Sequence, residues 1–131
     1  MKQNSLLLFA GVSGLSAVAL GAFGAHGLKP LLSQEMLNAY ESGVRYQFYH
    51  TLAVLFLSYH SYTSLPFVKR AVMFFILGII LFSGSLYLMS LASIAGNTWR
   101  WLGPVTPFGG LCFMLGWLFL ILQALRKNTA N

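Results

Sequence analysis

The chain has 131 residues, of which 57% are hydrophobic and only 8% charged. Soluble domains carry about 25% charged residues, so eight Lys and Arg with two Glu are too few to clothe a water-facing surface. The apolar content excludes disorder, and the single cysteine, Cys112, excludes a disulfide scaffold; what remains is a membrane protein.

The charges sit at Lys2, Lys29, Glu35, Glu41, Arg45, Lys69, Arg70, Arg100, Arg126 and Lys127. They leave charge-free windows at 3–28, 46–68, 71–99 and 101–125. Each exceeds the ~20 residues a helix needs to cross ~30 Å of hydrocarbon. A spanning barrel would alternate in hydrophobicity, and these runs are continuous. The sequence therefore predicts an all-α, four-helix transmembrane bundle filling one integral membrane domain over 1–131, with spans at about 5–26, 46–64, 71–94 and 107–125.

The first span repeats small residues at Ser13, Ala17, Gly21 and Ala25, flanked by Ala10, Gly14 and Gly24. Small residues let helices approach closely in lipid, so Gly14, Ala17, Gly21 and Gly24 are read as an intramolecular packing seam, with a homodimer face as the alternative. Lys2 followed by an apolar run resembles a signal peptide. The run continues past the Ala17-Val18-Ala19 site, longer than a signal sequence, so a retained helix is expected.

The next stretch, about 29–45, is predicted to be a short amphipathic interfacial helix between helices 1 and 2, lying on the outer interface and running into helix two. Pro30 suits a helix start and Ser33 a cap. Leu32, Met36, Tyr40 and Val44 make one face; Gln34, Asn38, Glu41 and Arg45 make the other, with Glu41 and Arg45 a favourable i,i+4 pair. Helix two opens with Tyr46-Gln47-Phe48-Tyr49-His50, echoed at Tyr59-His60; the second histidine, His60, is read as a headgroup-level side chain. Helix three contains Phe82-Ser83-Gly84-Ser85-Leu86-Tyr87. Before helix four, Thr106 suits a cap and Pro107 the first helical position. Gly109, Cys112 and Gly116 form a second small face, with Gln123 beyond them.

Lys and Arg favour the cytoplasmic side. Lys2, Lys69, Arg70, Arg126 and Lys127 on the termini and middle loop outnumber Lys29, Arg45 and Arg100, so both termini are expected inside, at the cell (inner) membrane. Trp99 and Trp101 then sit at the outer interface and Tyr59 and Tyr62 near the inner one. The net charge of +6 is spread over several loops and reads as topology, with no nucleic-acid partner.

Polar groups within spans need partners and are often functional. His26, Gln47, His50, Ser83, Ser85 and Thr106 form a candidate polar intramembrane cluster in the outer half, with Arg45 or Arg100 above it. Such a cluster can hold helices together by hydrogen bonds, line a small-molecule, ion or proton path, or ligate a metal. No Cys/His spacing favours the metal, and no cofactor is implied. Catalysis has little support: there is no phosphate loop, nucleophile elbow or His-Glu-x-x-His motif. No span contains a carboxylate, and Cys112 in an apolar helix is expected to be inert. No catalytic residue is assigned.

Four motifs in order carry a resemblance: Gly21-Ala22-Phe23-Gly24-Ala25-His26, Tyr46-Gln47-Phe48-Tyr49-His50, Leu81-Phe82-Ser83-Gly84-Ser85-Leu86-Tyr87 and Val105-Thr106-Pro107-Phe108-Gly109-Gly110. Together they resemble the domain-of-unknown-function 423 family, small bacterial inner-membrane proteins with transmembrane protein 256-like relatives, over about 5–125. The resemblance implies an integral membrane protein of about four helices, with no established activity, substrate or cofactor. The function expected is a non-enzymatic small membrane protein acting through helix–helix association. Its partners would be the lipid bilayer and either a second copy or another membrane protein. The alternative is a small transporter or channel lined by the outer polar cluster.

Overall fold

The computed structural model describes residues 2–59, 62 and 64–128. His60, and with it the Tyr59-His60 echo, lies outside the described residues. The described residues are helical, with short turns between helices and no strand. The helices are α1 (Gln3–Phe23), α2 (Gln34–Leu57), α3 (Pro66–Gly78), α4 (Gly84–Ile94) and α5 (Val105–Asn128). A π turn at Gly24–Leu28 extends α1, and another at Ile79–Ser83 joins α3 to α4 into one long helix. Among the described residues three helices are long and apolar enough to cross a membrane: Gln3–Leu28, Pro66–Ile94 and Arg100–Arg126.

The helix at 34–57 covers most of the predicted amphipathic stretch and most of the second predicted span. Ser33 caps it, accepting from the Met36 N–H at 3.2 Å, but there is no break at Arg45. The amphipathic stretch runs into the second span as one continuous helix: no Pro separates Glu41 from Tyr46, and the packed face carries through Gly43. Its buried face repeats without interruption: Leu37, Tyr40, Gly43, Gln47, His50, Val54 and Leu57. Its exposed face changes character along the axis, from Gln34, Glu35, Asn38, Glu41 and Arg45 to Phe48, Tyr49, Leu52, Leu55 and Phe56. A helix that keeps one face packed while the other turns from charged to apolar is one whose surroundings change along its length.

Other boundaries shift for local reasons. α3 begins at Pro66, where proline suits a first turn, so Lys69 and Arg70 lie within the helix instead of before it. α4 ends in a Schellman motif. Gly96 has φ +71°, its N–H donates to Ser93 O at 3.1 Å and that of Asn97 to Ala92 O at 3.0 Å. α5 begins at Val105, two residues before Pro107.

The helices pack antiparallel. α2 is central: α1 lies on one side of it, and the α3–α4 helix on the other, against α5. The main core contains Leu6, Val54, Leu57, Val68, Val72, Phe75, Ile79 and Phe113. A smaller one, Leu28, Leu32, Leu37 and Tyr40, closes the end where α1 turns into α2. Elsewhere the surface is apolar: Leu8, Leu15, Phe56, Ile80, Phe108 and Met114 are all exposed, as a lipid-facing surface requires.

Candidate functional site

The polar side chains inside the bundle fall into three groups. The first centres on Gln47, on the packed face of α2. Its Nε2 donates to Ser13 O at 2.9 Å and Ser16 Oγ at 2.8 Å on α1, and its Oε1 accepts from the Tyr87 hydroxyl of α4 at 2.7 Å. Ser13 and Thr51 share a further hydrogen bond at 2.6 Å. One amide therefore joins three helices. The Tyr87 ring lies 5.1 Å from that of Tyr40, and the Tyr40 hydroxyl donates to Leu20 O at 3.0 Å.

Two serines on the π-turn and α4 side extend this zipper to α2. Ser83 donates to Gly43 O at 2.7 Å, and Ser90 to Met36 O at 3.0 Å. Ser83, Tyr87 and Ser90 follow i, i+4, i+7 spacing, one helical face.

The second group surrounds His50. Its Nδ1–H donates to Tyr46 O at 2.8 Å, and its Nε2 accepts from the Trp117 indole N–H at 3.2 Å. A carbonyl can only accept and an indole N–H can only donate, which fixes the tautomer. The imidazole stacks on Phe113 at 3.6 Å and 10° and lies 5.2 Å from Phe75. Three residues after Gln47, it faces α5 instead of α1. The third group is a pair, Ser85 Oγ and Thr106 Oγ1, at 2.7 Å between α4 and α5. Thr106 thus joins two helices, since α5 starts before it and leaves no cap position to fill.

The sequence grouped these residues in the outer half of the bundle, and the structure separates them around the axis. His26 is exposed in its π turn, where Nδ1 meets only Ala22 O at 3.0 Å. Arg45 donates to Ser42 Oγ at 3.0 Å and stands 4.0 Å from Glu41; it faces outward and does not cover the cluster. Ser13, Ser16, Thr51 and Tyr87 were missing from the predicted set. The signal for Thr51 was its i+4 relation to Gln47. Among the described residues every buried side-chain nitrogen and oxygen has a hydrogen-bond partner, and no group of three or more His, Cys, Asp or Glu could hold a metal.

The glycines divide likewise. A Cβ on Gly24 would come within 2.7 Å of the Tyr40 ring, and one on Gly21 within 3.3 Å of Val44. Gly14 would meet only Thr51 Cγ2 at 3.7 Å, ordinary contact. Ala17 is buried in the same seam. Between α3 and α5 the approach is closer. Gly78 lies under the Phe113 ring and Gly116 under that of Phe75, where an added Cβ would come within 2.5 Å of each ring, and Gly109 lies against the Phe82 backbone.

A helical fold with a largely apolar outer surface and its interior polar groups held in helix contacts defines a membrane protein. The family model described as a protein of unknown function, DUF423, matches residues 20–110, and the chain belongs to that family. A UPF0382 membrane protein of Haemophilus influenzae is 40% identical over 97% of this chain and 98% of its own length. The inner membrane protein YgdD of Escherichia coli (strain K12) is 39% identical over 96% of this chain and 93% of its own. YwdK of Bacillus subtilis (strain 168) is 34% identical over 92% and 95%. No solved structure matches.

Proposed function

We propose that this chain is a non-enzymatic membrane component that crosses the bilayer four times, keeps both termini in the cytoplasm and acts by associating with another membrane-embedded helix, its own or a partner's. What carries the reading is the fate of the interior polar groups: Gln47, His50, Ser83, Ser85 and Thr106 all bond to neighbouring helices or their own backbone. Their chemistry is directed at holding the bundle together, so action on other molecules falls to the outer surface. The switch along α2 from charged to apolar exposed residues supports a fourth crossing whose outer turns project into the headgroup layer. α1 supports association: it packs chiefly on α2 and exposes Leu8, Val12, Leu15 and Val18 along its length.

The test is mild-detergent purification with mass spectrometry of what co-purifies, beside disulfide crosslinking of Val12→Cys and Leu15→Cys chains in membranes. A crosslinked dimer or a stoichiometric membrane partner is expected. A strictly monomeric, partner-free chain would overturn the proposal.

A further inference from the structure

Two depressions meet on the outside of α1 and α2, near the end where the two helices join. Gly21, Val44 and Arg45 line both. The one nearer the join, about 240 Å³, adds Tyr40 and Glu41. The deeper one, about 470 Å³, adds Ala17 and Ala22 of α1 and the exposed rings of Phe48 and Tyr49 of α2. From Glu41 to Tyr49 the helix runs about 12 Å, so together they make a groove of that length. Beyond Arg45 its walls carry no charge.

Its mouth carries one charge of each sign. Arg45 Nη1 and Glu41 Oε2 stand 4.0 Å apart, too far for a hydrogen bond. Among the described residues Arg45 donates only to Ser42 Oγ, at 3.0 Å, and the Glu41 carboxylate accepts no hydrogen bond. A guanidinium has five N–H groups, so most of its donors remain. Both side chains are about half exposed, and an exposed ion pair contributes little by itself. A ligand can therefore engage both groups at small cost.

A phosphate linked to a primary ammonium answers both charges. Guanidinium pairs with phosphate, and a carboxylate accepts from an ammonium N–H. An acyl chain carried on that phosphate would enter the uncharged part of the groove. The three requirements together describe phosphatidylethanolamine. Phosphatidylcholine has no ammonium N–H to donate, and phosphatidylglycerol has no cation for Glu41.

We propose that Arg45 and Glu41 hold the phosphate and ammonium of a phosphatidylethanolamine whose acyl chain lies in the groove between α1 and α2. The inference rests on the chain being embedded in a bilayer and not on its self-association, so a monomeric result above leaves it standing.

The test is native mass spectrometry of the full chain in micelles holding equal phosphatidylethanolamine, phosphatidylglycerol and phosphatidylcholine with matched acyl chains. The wild-type chain is expected to retain phosphatidylethanolamine about tenfold over either other lipid. E41Q should bring phosphatidylethanolamine and phosphatidylglycerol level, and R45Q should retain less of all three. E35Q loses the same charge outside the groove and should keep the wild-type ranking. Equal retention of the three lipids by the wild-type chain, which needs no variant to fold, would overturn the proposal. So would the same levelling in E35Q, since only net charge would then matter.

Discussion

The two seams of the bundle are built from different materials. Between α3 with its π turn and α5, aromatic rings sit over glycines: Phe113 over Gly78, Phe75 over Gly116, and the Phe82 backbone against Gly109. Between α1, α2 and α4, hydroxyls and one amide do the joining, through Ser13, Thr51, Gln47, Tyr87 and Ser83. Lipid tails are as apolar as leucine, so burial alone cannot drive helices together there; packing and hydrogen bonds must. The molecule uses hydrogen bonds around α2 and close packing between α3 and α5, and His50, stacked on Phe113 yet bonded to Trp117, stands where they meet.

If the aromatic seam depends on close approach, it should be the more sensitive side. The largest effect is expected for Gly109→Ala. The obstacle there is the Phe82 backbone, which cannot rotate away, and the cost should be about 3 kcal/mol in SDS-driven unfolding from mixed micelles. A loss below that of Gly116→Ala would break the comparison. Gly116→Ala meets only the Phe75 ring, which can shift, and about 1.5 kcal/mol is expected, partly recovered when Phe75→Leu is added.

The polar seam should respond by bond count. Gln47→Leu removes the bonds to Ser13 and Ser16 and leaves the Tyr87 hydroxyl without its acceptor, for about 1.5 kcal/mol in the same assay, near the upper end of single interhelical contacts. A neutral result would show the zipper to be dispensable. The smallest effect is expected for Gly14→Ala. Its Cβ has room beside Thr51, so thermal stability in detergent should stay level or rise by up to about 1 kcal/mol as helix propensity improves.

How far the sequence could be read differs between residues that look alike in it. His26 ends one apolar run and His50 lies near the start of the next, at similar depth, yet one is exposed and the other buried in an aromatic box. Depth can be had by counting residues along an apolar stretch; direction around the axis cannot, and each π turn rotates the helix beyond it. Gln47 and His50 share a face by spacing, but the 60° between them is enough to send one toward α1 and the other toward α5. Gly14 and Gly21 belong to one sequence stripe, and only the second is tightly opposed. The edge of the second span at Arg45 was read from charge, whereas the helix itself carries through Ser42-Gly43 because its packed face continues.

By itself the sequence determined the solvent, the apolar runs that cross it and the lack of carboxylates within them. These rest on transfer free energies that add residue by residue along the chain. The tertiary structure decided that Gln47 joins three helices, that His50 faces Trp117, and that Gly109 rather than Gly14 marks the closest approach. Those outcomes depend on the rotation of one helix against another. In lipid, that rotation is set by specific contacts and not by hydrophobicity, which is nearly the same in every direction.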